Sequence, residues 1–383
     1  MGRCSESHRP ILKPIQLPRP LQPSPFGSPV VRHHPHILLS CGELTVILKD
    51  VANQLLLLIL GDVDPATIEL SSEKKAIQVK LKKRMTRNAK LSYWVSSSSK
   101  FSVIARRVTF VAFWLCKFVF GSHPHYAIKS LYFPLAIKIS VGVSLPLVPM
   151  FLGHLYVQLD ILRSDESQAS SCHIVTSSVY STILQQLLFK RCGQYLVKCR
   201  PFRFAKEKYQ SCPKLITDFY GRFESDFPLA FRWSGLKPID YSVVESFDEG
   251  VGFSWRAYRH FSTCYTFVDF AMGSFVDTVG TTTPLASFDE IGITYLAATN
   301  AGWLPYLADE GVRFVYYPAN RVRRQFGLDQ DIPDDLSFLM ESPTSVKPFL
   351  RHTAFDFWRQ CFSAVTVPGS LREGLCTPDT GRP

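Results

Sequence analysis

The stretch Tyr317-Pro318-Ala319-Asn320-Arg321-Val322-Arg323-Arg324-Gln325-Phe326-Gly327-Leu328-Asp329-Gln330-Asp331-Ile332-Pro333 marks a change of element in the chain. Just before it, Arg313-Phe314-Val315-Tyr316-Tyr317 reads as a strand, because β-branched and aromatic residues dominate it. Pro318 fits the first position of a following helix, where its missing N–H is harmless. Gly327 fits that helix's end. Arg321, Arg323 and Arg324 crowd the helix, and Asp329, Asp331, Asp334 and Asp335 follow it. The arginines have two open roles: contact with nucleic-acid phosphates or a partner protein, or internal ion pairs that fix the architecture. The acidic turn reads as a partner of these arginines rather than a metal site, since turns attract aspartate anyway.

Upstream, the pattern is helical. Asp50 to Leu55 reads as a short helix, and the uniformly apolar Leu55 to Leu60 as buried chain. Gly61-Asp62-Val63-Asp64-Pro65 reads as a turn. Glu73 to Lys90 is a basic helical stretch with no acid after Glu73. Ser99 is a candidate cap for the next helix, where Phe101, Ile104, Val108, Val111, Leu115 and Phe118 recur at three- and four-residue steps and line one face. Ile139 to Leu159 is uncharged and long enough to cross a bilayer. Pro146, Pro149, Gly142 and Gly153 instead favour two buried elements: Pro134 to Val141, closed by Gly142, and a helix from about Pro149 to Leu162. Ser164 to Ser171 reads as a polar loop and Ser181 to Cys192 as an amphipathic helix. Phe227 to Trp233, Gly252 to Tyr258 and Tyr265 to Phe270 are candidate strands or loops. Phe288 to Ala298 reads as a helix. The expected fold is therefore mostly α: a multi-helix globular domain over about residues 38–376, with a few short strands. The proline-rich segment 1–36 and the tail 377–383 are expected to be disordered.

Composition narrows the function. Hydrophobic residues make up 46% and aromatics 13%, enough for a sizeable core. The formal net charge is +11 and the pI about 9.1, which draws the chain toward polyanions. Its 10 cysteines are irregularly spaced, with no C-x-x-C pair, and imply reduced thiols in cytosol or nucleus. Lys80, Lys82, Lys83, Arg84 and Arg87 on the basic helix are candidate phosphate contacts, as are Arg321, Arg323 and Arg324. Tyr93 and Trp94 follow the basic run rather than interleave with it. The chain has no GxxxxGK loop, HExxH or GxSxG. Serine three before lysine occurs at Ser72/Lys75, Ser97/Lys100 and Ser211/Lys214, but its companion motifs are absent. No catalytic residue, metal site or cofactor is expected.

The quoted stretch also resembles the signature of the plant mobile domain, a transposon-derived module sometimes called aminotransferase-like. Glu43-Leu44-Thr45-Val46-Ile47-Leu48-Lys49-Asp50-Val51 is similar to that family's opening element, with Ile47 where the family usually has a capping threonine. Phe110-Val111-Ala112-Phe113-Trp114-Leu115, Leu131-Tyr132-Phe133-Pro134-Leu135-Ala136, and Leu147 to Asp160 resemble its central helices. Phe349 to Pro368, with Phe355-Asp356-Phe357-Trp358, is similar to its late segment. The resemblance implies a nuclear, non-enzymatic interaction module, with family roles in meristem maintenance, transposon silencing and genome stability. Nucleic acid or nuclear proteins are the implied partners. The family's tryptophan-rich upstream helices are replaced by the proline-rich start, so the resemblance implies a partial copy. The "aminotransferase" label implies a pyridoxal phosphate lysine and a phosphate cradle; neither stands out. An enzyme and a protein anchored through 139–159 remain the alternatives.

Overall fold

The structure is a computed structural model. It describes residues 37–39, 42–96, 101–121, 124, 127–168, 178–191, 253–257, 279–330, 345–369, 372, 374 and 375. The expected disordered ends, the candidate strands 227–233 and 265–270, and Asp331, Asp334 and Asp335 lie outside the described residues.

The chain is mostly helical, with a few short antiparallel strands. A hairpin of β1 (Ile37–Leu39) and β2 (Gly42–Leu44) leads into α1 (Leu48–Leu55). Ile47 stands at the N-cap without a side-chain hydrogen bond. An isoleucine cannot accept one, so only half of a capping box forms: the Ile47 N–H donates to Asp50 Oδ2 at 3.0 Å. α1 closes at Leu56, which adopts a left-handed φ of 53° and donates its N–H to the Ala52 carbonyl. In the apolar run that follows, Leu57, Ile59 and Leu60 are buried and Leu55, Leu56 and Leu58 only half-buried.

Next come α2 (Ser72–Arg87), α3 (Leu91–Ser96) and α4 (Val103–Trp114). α4 is capped by Ser102 rather than Ser99; the Ser102 hydroxyl accepts from the Ala105 N–H. It runs into a π-helical turn, Leu115–Val119, where the Phe120 N–H reaches back to the Leu115 carbonyl at 2.9 Å. The expected face is corrected here: Val119, four residues after Leu115 and seven after Ala112, is buried, while Phe118 is exposed. Ile104 is exposed as well, and Val108, Ala112, Leu115 and Cys116 form the buried stripe.

The uncharged stretch 139–159 is two helices. α5 (Phe133–Ser140) ends at Gly142 with φ 88°, and α6 (Leu147–Gln168) begins after it. Among the described residues no helix is long and apolar enough to cross a membrane. α6 continues through Ser164 to Gln168, where a loop was expected. It lies at the centre of the core, burying Val148, Met150, Phe151, Leu152, Leu155 and Tyr156. The hairpin of β4 (Trp303–Ala308) and β5 (Gly311–Tyr316) packs across it. Contact is possible because position 153 is glycine: a Cβ there would come within 2.5 Å of the Pro305 carbonyl oxygen.

α7 (Ser181–Arg191) packs on α1. Later in the chain, β3 (Thr281–Pro284) pairs with β6 (Ala364–Val367), and α8 (Glu290–Asn300) packs on α9 (Arg351–Arg359). Gly61 and Leu350 form an isolated bridge. Beside it Arg351 spans Asp62 at 2.6 Å and Glu290 at 2.7 Å, joining early and late chain.

The core also holds charge. Asp50 and Arg191 are 0% and 1% exposed, and Arg191 Nη2 donates to Asp50 Oδ1 at 2.9 Å. Its Nη1 donates to the Trp255 carbonyl. Two buried tyrosines lie nearby: Tyr156 bonds to the Val46 carbonyl and Thr45, and its ring is 5.9 Å from that of Tyr317. Replacing Asp50 by Asn leaves the buried Arg191 charge without its counter-charge. Loss of ~3 kcal/mol or more in urea denaturation is the expected result, and Asp50→Asn/Arg191→Met should cost less than the two single changes added together.

Burial, with the Arg256 and Arg191 charges, pulls the Lys49 ammonium down to about 7 from an ordinary 10.5. Between those values the unfolded chain binds more protons than the folded one, so stability rises with pH. The Cys116 thiol, pushed up to about 11 from 9.0 by burial, opposes this at higher pH, as do the raised hydroxyls of Tyr156 and Tyr317. Melting temperature should therefore climb from about pH 7 to about pH 9. Lys49→Met should flatten that climb; an unchanged slope would assign it to other groups.

Candidate nucleic-acid interface

α2 forms because sixteen residues run without glycine or proline, rich in lysine and other good helix formers. Leu81 is its one fully buried residue. Lys75, Lys80, Lys82, Lys83 and Arg87 are exposed, so four of the five candidates on this helix face solvent. Arg84 does not. Its guanidinium lies over the Phe101 ring at 4.3 Å and the Tyr93 ring at 5.1 Å. This ties the end of α2 to α3 and to the residue before the α4 cap. Cation–π contact of this kind is worth roughly 0.5–2 kcal/mol. Trp94 is buried: it stacks on Phe133, and its indole N–H donates to the Asn88 carbonyl at 2.8 Å.

The signature arginines are placed differently. The expected helix is a 3₁₀ helix, Ala319–Phe326, kinked at Val322. Pro318 precedes it rather than opening it, while Gly327 closes it at φ 80° as expected. Arg321 grips Glu43 on β2 with two parallel bonds, Nε to Oε2 at 2.7 Å and Nη2 to Oε1 at 2.5 Å. Arg324 lies over the Trp255 ring at 4.4 Å and donates to the Gly374 carbonyl. Arg323 is half-buried. Asp329 bonds to Arg372 and to the Leu375 N–H, and of the signature arginines Arg323 acts on it electrostatically. These contacts hold its carboxyl below the usual range. Arg321 and Arg324 thus hold parts of the fold together, and among the candidates Lys80, Lys82, Lys83 and Arg87 are exposed.

Glu43 belongs to the opening element and Arg321 to the late signature, so their pairing brings the two family-like segments into one interface. A family model for the plant mobile domain matches residues 36–372. The chain belongs to the plant mobile domain family. No curated protein and no solved structure matches it.

One charge signal in this plant mobile domain goes beyond the α2 run. Between Glu73 and Asp160 there are fourteen lysines and arginines and no aspartate or glutamate. That exceeds the +11 of the whole chain. Apart from Lys100, which lies outside the described residues, these charges sit on α2, on α4 with its π turn, on α5 and on the turns beside them. Arg106 and Arg107 on α4 and Lys117 in the π turn, all exposed, lie outside any dense basic run. Counting acids rather than bases would have found them. Among the described residues no group of three His, Cys, Asp or Glu side chains is placed to hold a metal.

Arg321→Lys keeps the charge but loses the parallel pair on a nearly buried carboxylate. It should cost ~1–3 kcal/mol of stability and leave polyanion binding unchanged, as checked by denaturation and by retention on heparin.

Proposed function

We propose that this plant mobile domain is a non-enzymatic nuclear interaction module that binds nucleic acid through the acid-free region containing α2. The observation that carries this is the segregation of charge: between Glu73 and Asp160 the chain has many cations, most of them exposed, and no carboxylate of its own. Such a face attracts phosphate backbones and releases their counterions. The absence of recognisable nucleophile, phosphate-cradle and metalloprotease motifs supports a binding rather than a chemical role. Roles in meristem maintenance, transposon silencing and genome stability follow from the family as the settings for such a module.

The reading predicts binding that weakens steeply with salt. A labelled oligonucleotide titrated between about 0.05 and 0.2 M salt should show a linear fall of log K with log salt. Lys80→Ala/Lys82→Ala/Lys83→Ala should lower affinity for all sequences and reduce that slope by about one per lysine that contacts phosphate. Binding that ignores both salt and these lysines would overturn the reading.

A further inference from the structure

We propose that the outer face of α4 is a stacking platform for single-stranded nucleic acid. This rests on the nucleic-acid reading above and adds to it the form of nucleic acid that is bound. Three observations converge on that face. First, it carries exposed aromatic side chains: Phe110 is 67% exposed and Phe118 47%. Second, cations interleave with them. Arg106 and Arg107 lie one turn before Phe110, and Lys117 adjoins Phe118; all three are exposed. Helix α5, which packs on α4, contributes no carboxylate.

Third, Phe118 lies within the π turn Leu115–Val119, exposed although its neighbours Cys116 and Val119 are buried. Single-turn π segments are frequent at functional sites. Phe118 is also held in place, with its ring edge-to-face with Phe113 at 5.9 Å. At 1.5 Å rise per residue, Phe110 and Phe118 stand about 12 Å apart along the axis. That is room for separate unstacked bases.

Duplex DNA hides its base faces, so phenylalanines gain nothing from it beyond what the cations supply. A single strand offers each ring a base to stack on and each cation a phosphate. An anionic lipid surface is the competing source of the same pairing. It fits less well, because an interfacial helix sets its apolar residues on one face and its cations on the other. On α4 the two share a face.

The test uses the full chain and four variants: Phe110→Ala, Phe118→Ala, the double variant, and the triple lysine variant of α2. Anisotropy is read with a labelled oligo-dT of about 20 nucleotides, a duplex of equal length, and phosphatidylserine vesicles. Each phenylalanine change should weaken oligo-dT binding about tenfold and leave duplex binding and the salt slope unchanged. The triple lysine variant should weaken both. Phe110→Ala should melt like the parent chain, whereas Phe118→Ala loses the Phe113 contact, so binding is read well below the melting temperature of each variant. If the double variant binds oligo-dT like the parent while the lysine variant does not, the stacking platform is refuted and the basic-face reading survives. If the parent binds neither nucleic acid, the functional reading itself fails. Vesicle binding lost with the phenylalanines, with oligo-dT binding intact, would assign the face to lipid and overturn the proposal.

Discussion

The ion pair between Asp50 and Arg191 is the constraint on which the rest of this structure depends. Two full charges sit at the centre of an apolar core, where an isolated ion is costly. They are tolerated because each is bonded more than once. Asp50 also takes the Ile47 N–H at the start of α1, and Arg191 also reaches the Trp255 carbonyl. Trp255 in turn receives Arg324 from the signature on its ring. Its neighbour Arg256 bonds to the carbonyls of Pro368, Gly369 and Arg372. One buried pair thereby links α1, α7, the signature and the end of the described chain. A purely apolar core would be as stable or more so, but it would not dictate which elements meet.

Much of the helical framework was legible from the sequence. The helix α7, the Gly142 break that divides 139–159, and the Gly327 stop all act locally, so local patterns reveal them. The cap of α1 was legible in part. Ile47 was read as a departure from a capping threonine, and the helix does begin without a side-chain cap. The lost bond is offset by Asp50 from within the first turn.

What escaped was non-local or depended on register. The three-four pattern ran along the edge of the stripe that packs: Val108, Ala112, Leu115 and Val119 are buried, while Ile104 and Phe118 are exposed. The partners of Arg321 and Asp329 are far away in sequence, and adjacency suggested each other. Arg84 looked like one more surface cation in a run. Its place on two aromatic rings is settled by where α3 and α4 return. The acid-free region was present in the sequence throughout, but as an absence spread over many residues rather than a motif.

Gly153 has a consequence for how the signature is placed. Helix α6 and strand β4 meet there backbone to backbone, with no side chain between them. The residues on either side along α6 are larger, so the hairpin cannot slide by a turn without collision. The missing side chain acts as a notch that sets where β5 ends, and so where the Arg321 segment begins. A bond between chain positions hundreds of residues apart is thus aligned by the smallest residue in the protein.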